Sequence, residues 1–492
     1  MANWPWHLKQ MERMKWRSFF GCFCWCLMLT LAGQAQKPDT TTIELNIVPN
    51  VDPDIIETDS ISIGLLIVKG NKRTLEKIVL REVALRSGET YSAEHFRHRM
   101  RLSREQLMNT TLFVDVAVNR EMTSPTEADI IVEVKERLYF FPLPYFKVID
   151  RNWNVWINDY KASLERTNYG LKLLHNNITG RNDKLNLWLI GGYTQQAEFK
   201  YQLPYVDKKL EKGFNVGFTY GRNREINFAT DSNKQLFSKL PNFGRQYLRT
   251  EATFSYRKGS QMRFYLRGIY GRESIDSAFF RLNPNYLGGV TKTGYFDLNA
   301  IYQYYNVDFI PFPLRGWYVD LFATKRFSNA LGMLQFGGKA VATWEFIRKT
   351  YINFQTSFMV TTPGNQSYYN SRLMGYGSLY LQGLEYFVMD GNAGIMGRTT
   401  LRRQLVSFNL SGPSKWKSHN KIPIRIYAKT FGNLGYAHHP NPLPSNFMNN
   451  RLLRTAGFGL EFATIYDFVF KLEYSFNQFK QSGFYMHTAS DF

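Results

Sequence analysis

From residue 145 to the C-terminus the chain reads as a series of two-faced strands. Leu248, Thr250, Ala252, Phe254 and Tyr256 oppose Arg249, Glu251, Thr253, Ser255 and Arg257. Phe199, Tyr201 and Leu203 alternate with Glu198, Lys200 and Gln202, and Phe468, Phe470, Leu472, Tyr474 and Phe476 oppose Asp467, Lys471, Glu473, Ser475 and Asn477. A repeat of two is the signature of extended chain. The segments run to roughly 10 residues, the length a tilted membrane strand needs, whereas a sandwich strand averages ~5–6. One flank carries full charges and the other large aromatics. In a closed barrel the charges face a wet lumen and the aromatics face lipid. A soluble sandwich would share the alternation, but strand length and the charged flank favour the barrel.

About fifteen strands are expected, near 169–178, 183–192, 194–203, 213–223, 246–257, 261–271, 293–305, 315–326, 333–347, 350–361, 393–405, 423–433, 454–465, 467–477 and 483–491. A sixteenth near Trp153 to Asn158 would give the even number usual in bacterial barrels. The Gly-rich stretch 362–392 is too long for a tight turn, and long loops of this kind are usually functional.

Residues 61–138 follow a different pattern, with the order strand, helix, helix, strand, strand. Ile61, Ile63, Leu65 and Ile67 suggest the first strand. Gly70-Asn71 signals a turn, and Thr74 is placed to cap a helix whose buried face carries Leu75, Ile78, Val79 and Val83. Ser92 opens a second helix with Phe96, Met100, Leu107 and Met108 inward. Phe113–Val118 and Ile130–Val134 are the closing strands. Some 80 residues suffice for one small core.

Ahead of this unit, Lys9, Arg13, Lys15 and Arg17 precede an apolar run from Phe19 to Ala32, then Gly33-Gln34-Ala35. That is the form of a secretory signal peptide over 1–35, and residues 36–60 read as a polar linker. Cys22, Cys24 and Cys26, the only cysteines, lie inside the apolar run, so thiol chemistry is not expected of the processed chain.

Composition sharpens the picture. Aromatic residues make up 16% of the chain, and mean hydropathy is −0.34, which excludes a bundle of apolar helices. The formal charge is +21, but Lys and Arg are spread over alternating strands rather than gathered in one stripe. That distribution fits a solvated lumen and loops, with lipid headgroups as a second partner, and not nucleic acid. No Gly-x-Ser-x-Gly, His-Glu-x-x-His or phosphate-loop string occurs, so no enzyme is expected. His438-His439 stands in a Pro- and Asn-rich stretch with no third ligand nearby, so neither metal nor cofactor is assigned.

At this level the chain resembles the BamA/TamA-type outer-membrane assembly factors, the bacterial surface antigens, and among them the single-POTRA members seen in Bacteroidetes. Residues 61–138 resemble a POTRA domain through Ile67–Thr74, with Gly70, Asn71 and Thr74, then Arg81-Glu82, Gly88–Tyr91 and Phe113–Val116. The barrel resembles the family through Arg151-Asn152-Trp153, Asn168-Tyr169-Gly170, Pro313–Tyr318, Gly457–Glu461 and Leu472–Ser475. Phe492 matches the family's terminal aromatic, its own assembly signal.

The resemblance implies an outer-membrane β-barrel of about 16 antiparallel strands over 145–492, with the small domain in the periplasm. It implies unfolded outer-membrane or secreted clients, a lipid bilayer, and periplasmic or lipoprotein partners. The alternative is a passive channel, or an accessory scaffold dedicated to one client. The family's lumen loop carries a Val/Leu-Arg-Gly-Phe/Tyr motif; the matching residues are Leu381, Gln382, Gly383, Leu384, Glu385 and Tyr386. Its wall partner is Phe-x-Asp-x-Gly; the matching residues are Phe431, Asn433 and Gly435. Both charges are replaced by amides, and a Gln382–Asn433 contact is the expectation.

Overall fold

The computed structural model describes residues 60–148, 161, 163–377, 379–411, 421–464 and 469–487. The signal peptide, the linker up to residue 59, the strand expected near Trp153 to Asn158, and Phe492 lie outside the described residues.

The small domain runs β1 (Ser60–Lys69), α1 (Glu76–Arg81), β2 (Thr90–Ser92), α2 (Ala93–Asn109), β3 (Phe113–Ser124) and β4 (Glu127–Glu136). Its sheet has the order β2-β1-β4-β3, with β1 parallel to β4. Phe96, Leu107, Phe113, Ile130 and Val132 are fully buried at its centre. Three expectations are corrected. Leu75, expected on the buried face of α1, stands just ahead of the helix and is exposed. The alternation in β1 breaks after Ile63, where a bulge turns Leu65 out to 63% exposure and sends Leu66 and Val68 inward. The Asp129 carboxylate fills the bulge by accepting from the Leu65 N–H at 2.7 Å. Thr74 does not cap α1, whose first-turn N–H groups find no side-chain acceptor. Its hydroxyl sits instead 3.1 Å from the Tyr139 hydroxyl and accepts from Asn177 at 2.9 Å, so it joins the small domain to the barrel. Ser92 caps α2 as expected. Gly70 and Gly88 occupy turns, and the Asn71 amide donates to the Thr74 carbonyl at 3.1 Å.

The remainder is a sixteen-stranded antiparallel sheet. Its first part is β5 (Phe140–Val148), β6 (Thr167–Asn176), β7 (Lys184–Gly192), β8 (Thr194–Leu203) and β9 (Lys212–Asn223). A small hairpin, β10 (Glu225–Asp231) and β11 (Lys234–Lys239), rises out of it. The sheet resumes with β12 (Arg245–Lys258) and β13 (Met262–Ile275), then, after the short helix α3 (Ser277–Leu282), β14 (Lys292–Val307), β15 (Gly316–Phe327), β16 (Met333–Ile347) and β17 (Thr350–Thr362). A long loop bearing β18 (Arg372–Met374) and β19 (Met389–Asp390) leads to β20 (Ala393–Ser411). The last strands are β21 (Lys421–His438), β22 (Leu453–Ala463), β23 (Val469–Asn477) and β24 (Ser482–His487). Each expected strand from 169–178 to 483–491 has its counterpart.

Among the described residues the sheet's first strand is β5, at Phe140–Val148, which sequence patterning did not mark; it pairs to β6 with Pro142 opposite Leu173 and Pro144 opposite Leu171. Two prolines argue against a strand, because proline has no N–H to donate; an edge strand is where a sheet tolerates them.

The wall has the two flanks the sequence implied. Along β23, Lys471, Glu473 and Ser475 are 3%, 0% and 1% exposed, whereas Tyr474 and Phe476 are 39% and 46% exposed. Buried charges turned inward and exposed aromatics turned outward are the arrangement of a transmembrane β-barrel, which satisfies its backbone without water. The end of the barrel nearest the small domain has short connections such as 259–261 and 348–349; the far end carries the β10–β11 hairpin, α3 and the loop between β17 and β20.

Candidate functional site

The loop between β17 and β20 folds back into the barrel. Leu381, Gln382 and Leu384 are only 1%, 4% and 3% exposed, although they lie in a connection and not in the wall. Leu381 rests on Gly435 of β21: a Cβ added there would lie 2.5 Å from Leu381 Cδ1, so the close approach requires glycine. Gly383 has a φ of +90°, which L side chains rarely adopt, and faces Thr455 and Ser475. Its carbonyl accepts from the Asn477 amide at 3.0 Å, and its N–H donates to Glu385 at 2.8 Å. Arg398 of β20 donates to the Tyr380 carbonyl. Tyr386, 63% exposed, stands against Tyr485 of β24 with ring centroids 5.8 Å apart.

Gln382 does not meet Asn433. Its amide donates to Glu473 Oε2 at 2.8 Å, while Asn433 donates to Thr455 at 3.0 Å and leaves its own carbonyl oxygen without a partner. Phe431 packs across Gly457 of β22. Of the three expected wall residues, the structure therefore brings Gly435 to the loop and places Asn433 and Phe431 beside it.

Beneath the loop lies a layer of buried charge, of which the sequence pattern placed only Glu473 on the polar flank. Lys429 Nζ is 2.6 Å from Glu473 Oε1 and 3.1 Å from Glu461 Oε1. Arg402 Nε donates to Glu461 Oε2 at 2.6 Å. These side chains are at most 3% exposed. Glu473 thus takes a cation from one side and the loop amide from the other. The upper loop is fixed as well. Tyr369 donates to Glu273 of β13 at 2.8 Å, and Tyr376 donates to Asp390 at 2.6 Å while sitting 2.7 Å from Thr230 of the β10–β11 hairpin.

The small domain is fastened to the near end of the barrel by a second buried ion pair. Glu82, fully buried, accepts from Arg257 Nη1 and Nη2 at 2.7 and 2.8 Å and from Arg81 at 2.9 Å. Burial by itself would raise the Glu82 carboxyl, but the Arg257 and Arg81 guanidiniums outweigh it and hold the group below its usual value of 4.5. Asn109, at the end of α2, accepts from the Ile310 N–H at 2.8 Å. Arg81-Glu82 was legible only as part of the domain's signature; its partner, Arg257, is 175 residues away in sequence.

Residues 61–137 match the POTRA family model, described as surface antigen variable number repeat. No curated protein matches the chain in sequence. Among solved structures, the chain is similar to CdiB from Escherichia coli, with 11% identity and a TM-score of 0.50 over 87% of this chain and 76% of that one. It is also similar to BamA from Haemophilus ducreyi lacking POTRA domains 1-3, with 16% identity and a TM-score of 0.48 over 87% of this chain and 83% of that one. At 11% identity the likeness to CdiB is one of fold. The chain is a transmembrane β-barrel headed by a POTRA domain. Its particular form is a sixteen-stranded sheet with a loop anchored on Glu473 inside the lumen.

Proposed function

We propose that this protein is an outer-membrane assembly or translocation factor, with its POTRA domain in the periplasm. It acts on unfolded protein clients by strand templating at the barrel seam. The carrying observation is the pair of strands that end the sheet. Among the described residues no ladder joins β5 to β24. The described part of β24 spans six residues, and β5 contains Pro142 and Pro144. Residues two apart point their N–H groups to the same side, so one side of β5 lacks two donors. A weak seam can part, and its open edges offer backbone groups to a client strand where water is scarce. The chemistry is hydrogen bonding alone and calls for no catalytic residue or cofactor.

A passive channel or a scaffold for one client is the competing reading. The buried loop at Leu381–Leu384 supports assembly over an open channel, because it occupies the space a solute would need. The test removes residues 61–138 in the cell and compares the outer-membrane proteome. Loss of several barrel proteins is expected; an unchanged proteome with normal secretion overturns the reading.

A further inference from the structure

We propose that Glu385, Glu473 and His487 form a binding site for a divalent transition-metal ion of the zinc class, which pins the last strand to the lumen loop. Each comes from a different element: the loop, β23 and β24. His487 Nε2 lies 3.5 Å from Glu385 Oε1 and 3.8 Å from a Glu473 oxygen, and one ligand atom from each residue lies within 4.8 Å of the others. Zinc bonded at about 2.0–2.2 Å to nitrogen and oxygen in a tetrahedron sets its ligands roughly 3.3–3.5 Å apart, so small adjustments close the set.

A second observation points into the same space. Glu385 Oε1 and His487 Nε2 are both shut off from solvent, and neither has a hydrogen-bond partner. Without a cation they can offset their burial only against each other, as a histidine–carboxylate pair at 3.5 Å. A bound cation satisfies both.

The donor set selects the metal. Calcium and magnesium, which need many oxygen ligands, find too few here. An imidazole with two carboxylates suits zinc, with water as the fourth ligand. Glu473 serves without losing its partners, since Lys429 holds Oε1 and Gln382 takes only one lone pair of Oε2. Sequence spacing could not show this set, because Glu385 and His487 lie 102 positions apart (487 − 385).

The site does not depend on the assembly reading; zinc binding can fail while that reading stands, and the reverse. The experiment titrates zinc into the full, chelator-stripped chain in detergent by calorimetry. One saturating zinc per chain is expected, with a rise in melting temperature that chelator reverses. Glu385→Gln and His487→Gln should each abolish it, while a His438→Ala, His439→Ala double variant keeps it. Heat-modifiable gel mobility shows that each variant is folded. No saturable binding by the parent, or undiminished binding by folded His487→Gln, overturns the proposal; the cluster is then a histidine–carboxylate ion pair.

Discussion

Gln382 of the lumen loop donates a 2.8 Å hydrogen bond to Glu473 of β23, and not to Asn433 of β21. The choice follows from strength. A hydrogen bond to a charged acceptor contributes about 1.5–3 kcal/mol, against ~1 kcal/mol for a neutral amide pair. Glu473 already carries the negative charge that Lys429 and the fold demand, so the loop amide turns to it.

The first prediction follows from that geometry. Gln382→Ala and Asn433→Ala should destabilise the barrel additively, to within about 0.5 kcal/mol, because the side chains share no bond. Gln382→Ala and Glu473→Gln should be coupled by ~0.5–3 kcal/mol. Melting of the four-member cycles in detergent measures both terms.

Lys429→Met should be the more damaging change. It removes the cation between Glu461 and Glu473 and leaves part of their charge uncompensated, at a cost of about 3–5 kcal/mol. Reduced folded fraction on heat-modifiability gels is expected. Adding Glu473→Gln should recover part of the loss.

Gly383→Ala tests the loop's backbone. At a φ of +90° a Cβ is strained, and it would approach Ser475 Cβ at 3.2 Å. A cost on the order of 1–3 kcal/mol should loosen the loop without unfolding the wall. Faster hydrogen exchange confined to the loop between β17 and β20 is the expected signature.

The POTRA–barrel junction should answer to pH in one direction. The Glu82 carboxyl is held below its usual 4.5 in the folded protein. Its stabilisation is therefore complete above that value and is lost as pH falls through the lower folded-state value. Protease protection of the domain should stay level from neutrality down to about pH 5 and fall in more acid solution. Glu82→Gln should flatten the response.

Much of this was legible in the sequence, for identifiable reasons. The fifteen strands declared themselves because lipid and lumen impose opposite demands on successive residues, as Lys471 and Tyr474 show within β23. The Leu381–Tyr386 motif could be found through its resemblance to the family's lumen-loop motif, inside a loop too long to be a mere turn. The rest depended on contacts between distant segments. β5 was hidden by Pro142 and Pro144, which count against a strand unless its edge position is known. Leu65 kept the alternation in sequence while a bulge reversed it in space. Thr74 has the form of a helix cap, but Asn177 and Tyr139 lie beyond any local pattern. Glu473 was one lumen-facing residue among many until the loop's path singled it out.

The most direct test of the central claim locks the seam. Lys147→Cys and Tyr485→Cys place thiols on β5 and β24 of the processed chain, in which no other cysteine is expected. A set of bis-maleimide linkers of different lengths joins them, and insertion of an unfolded barrel client into vesicles is then followed. If templating occurs at the seam, the joined protein should lose insertion while singly modified controls retain it. Full insertion by quantitatively joined protein would contradict the account.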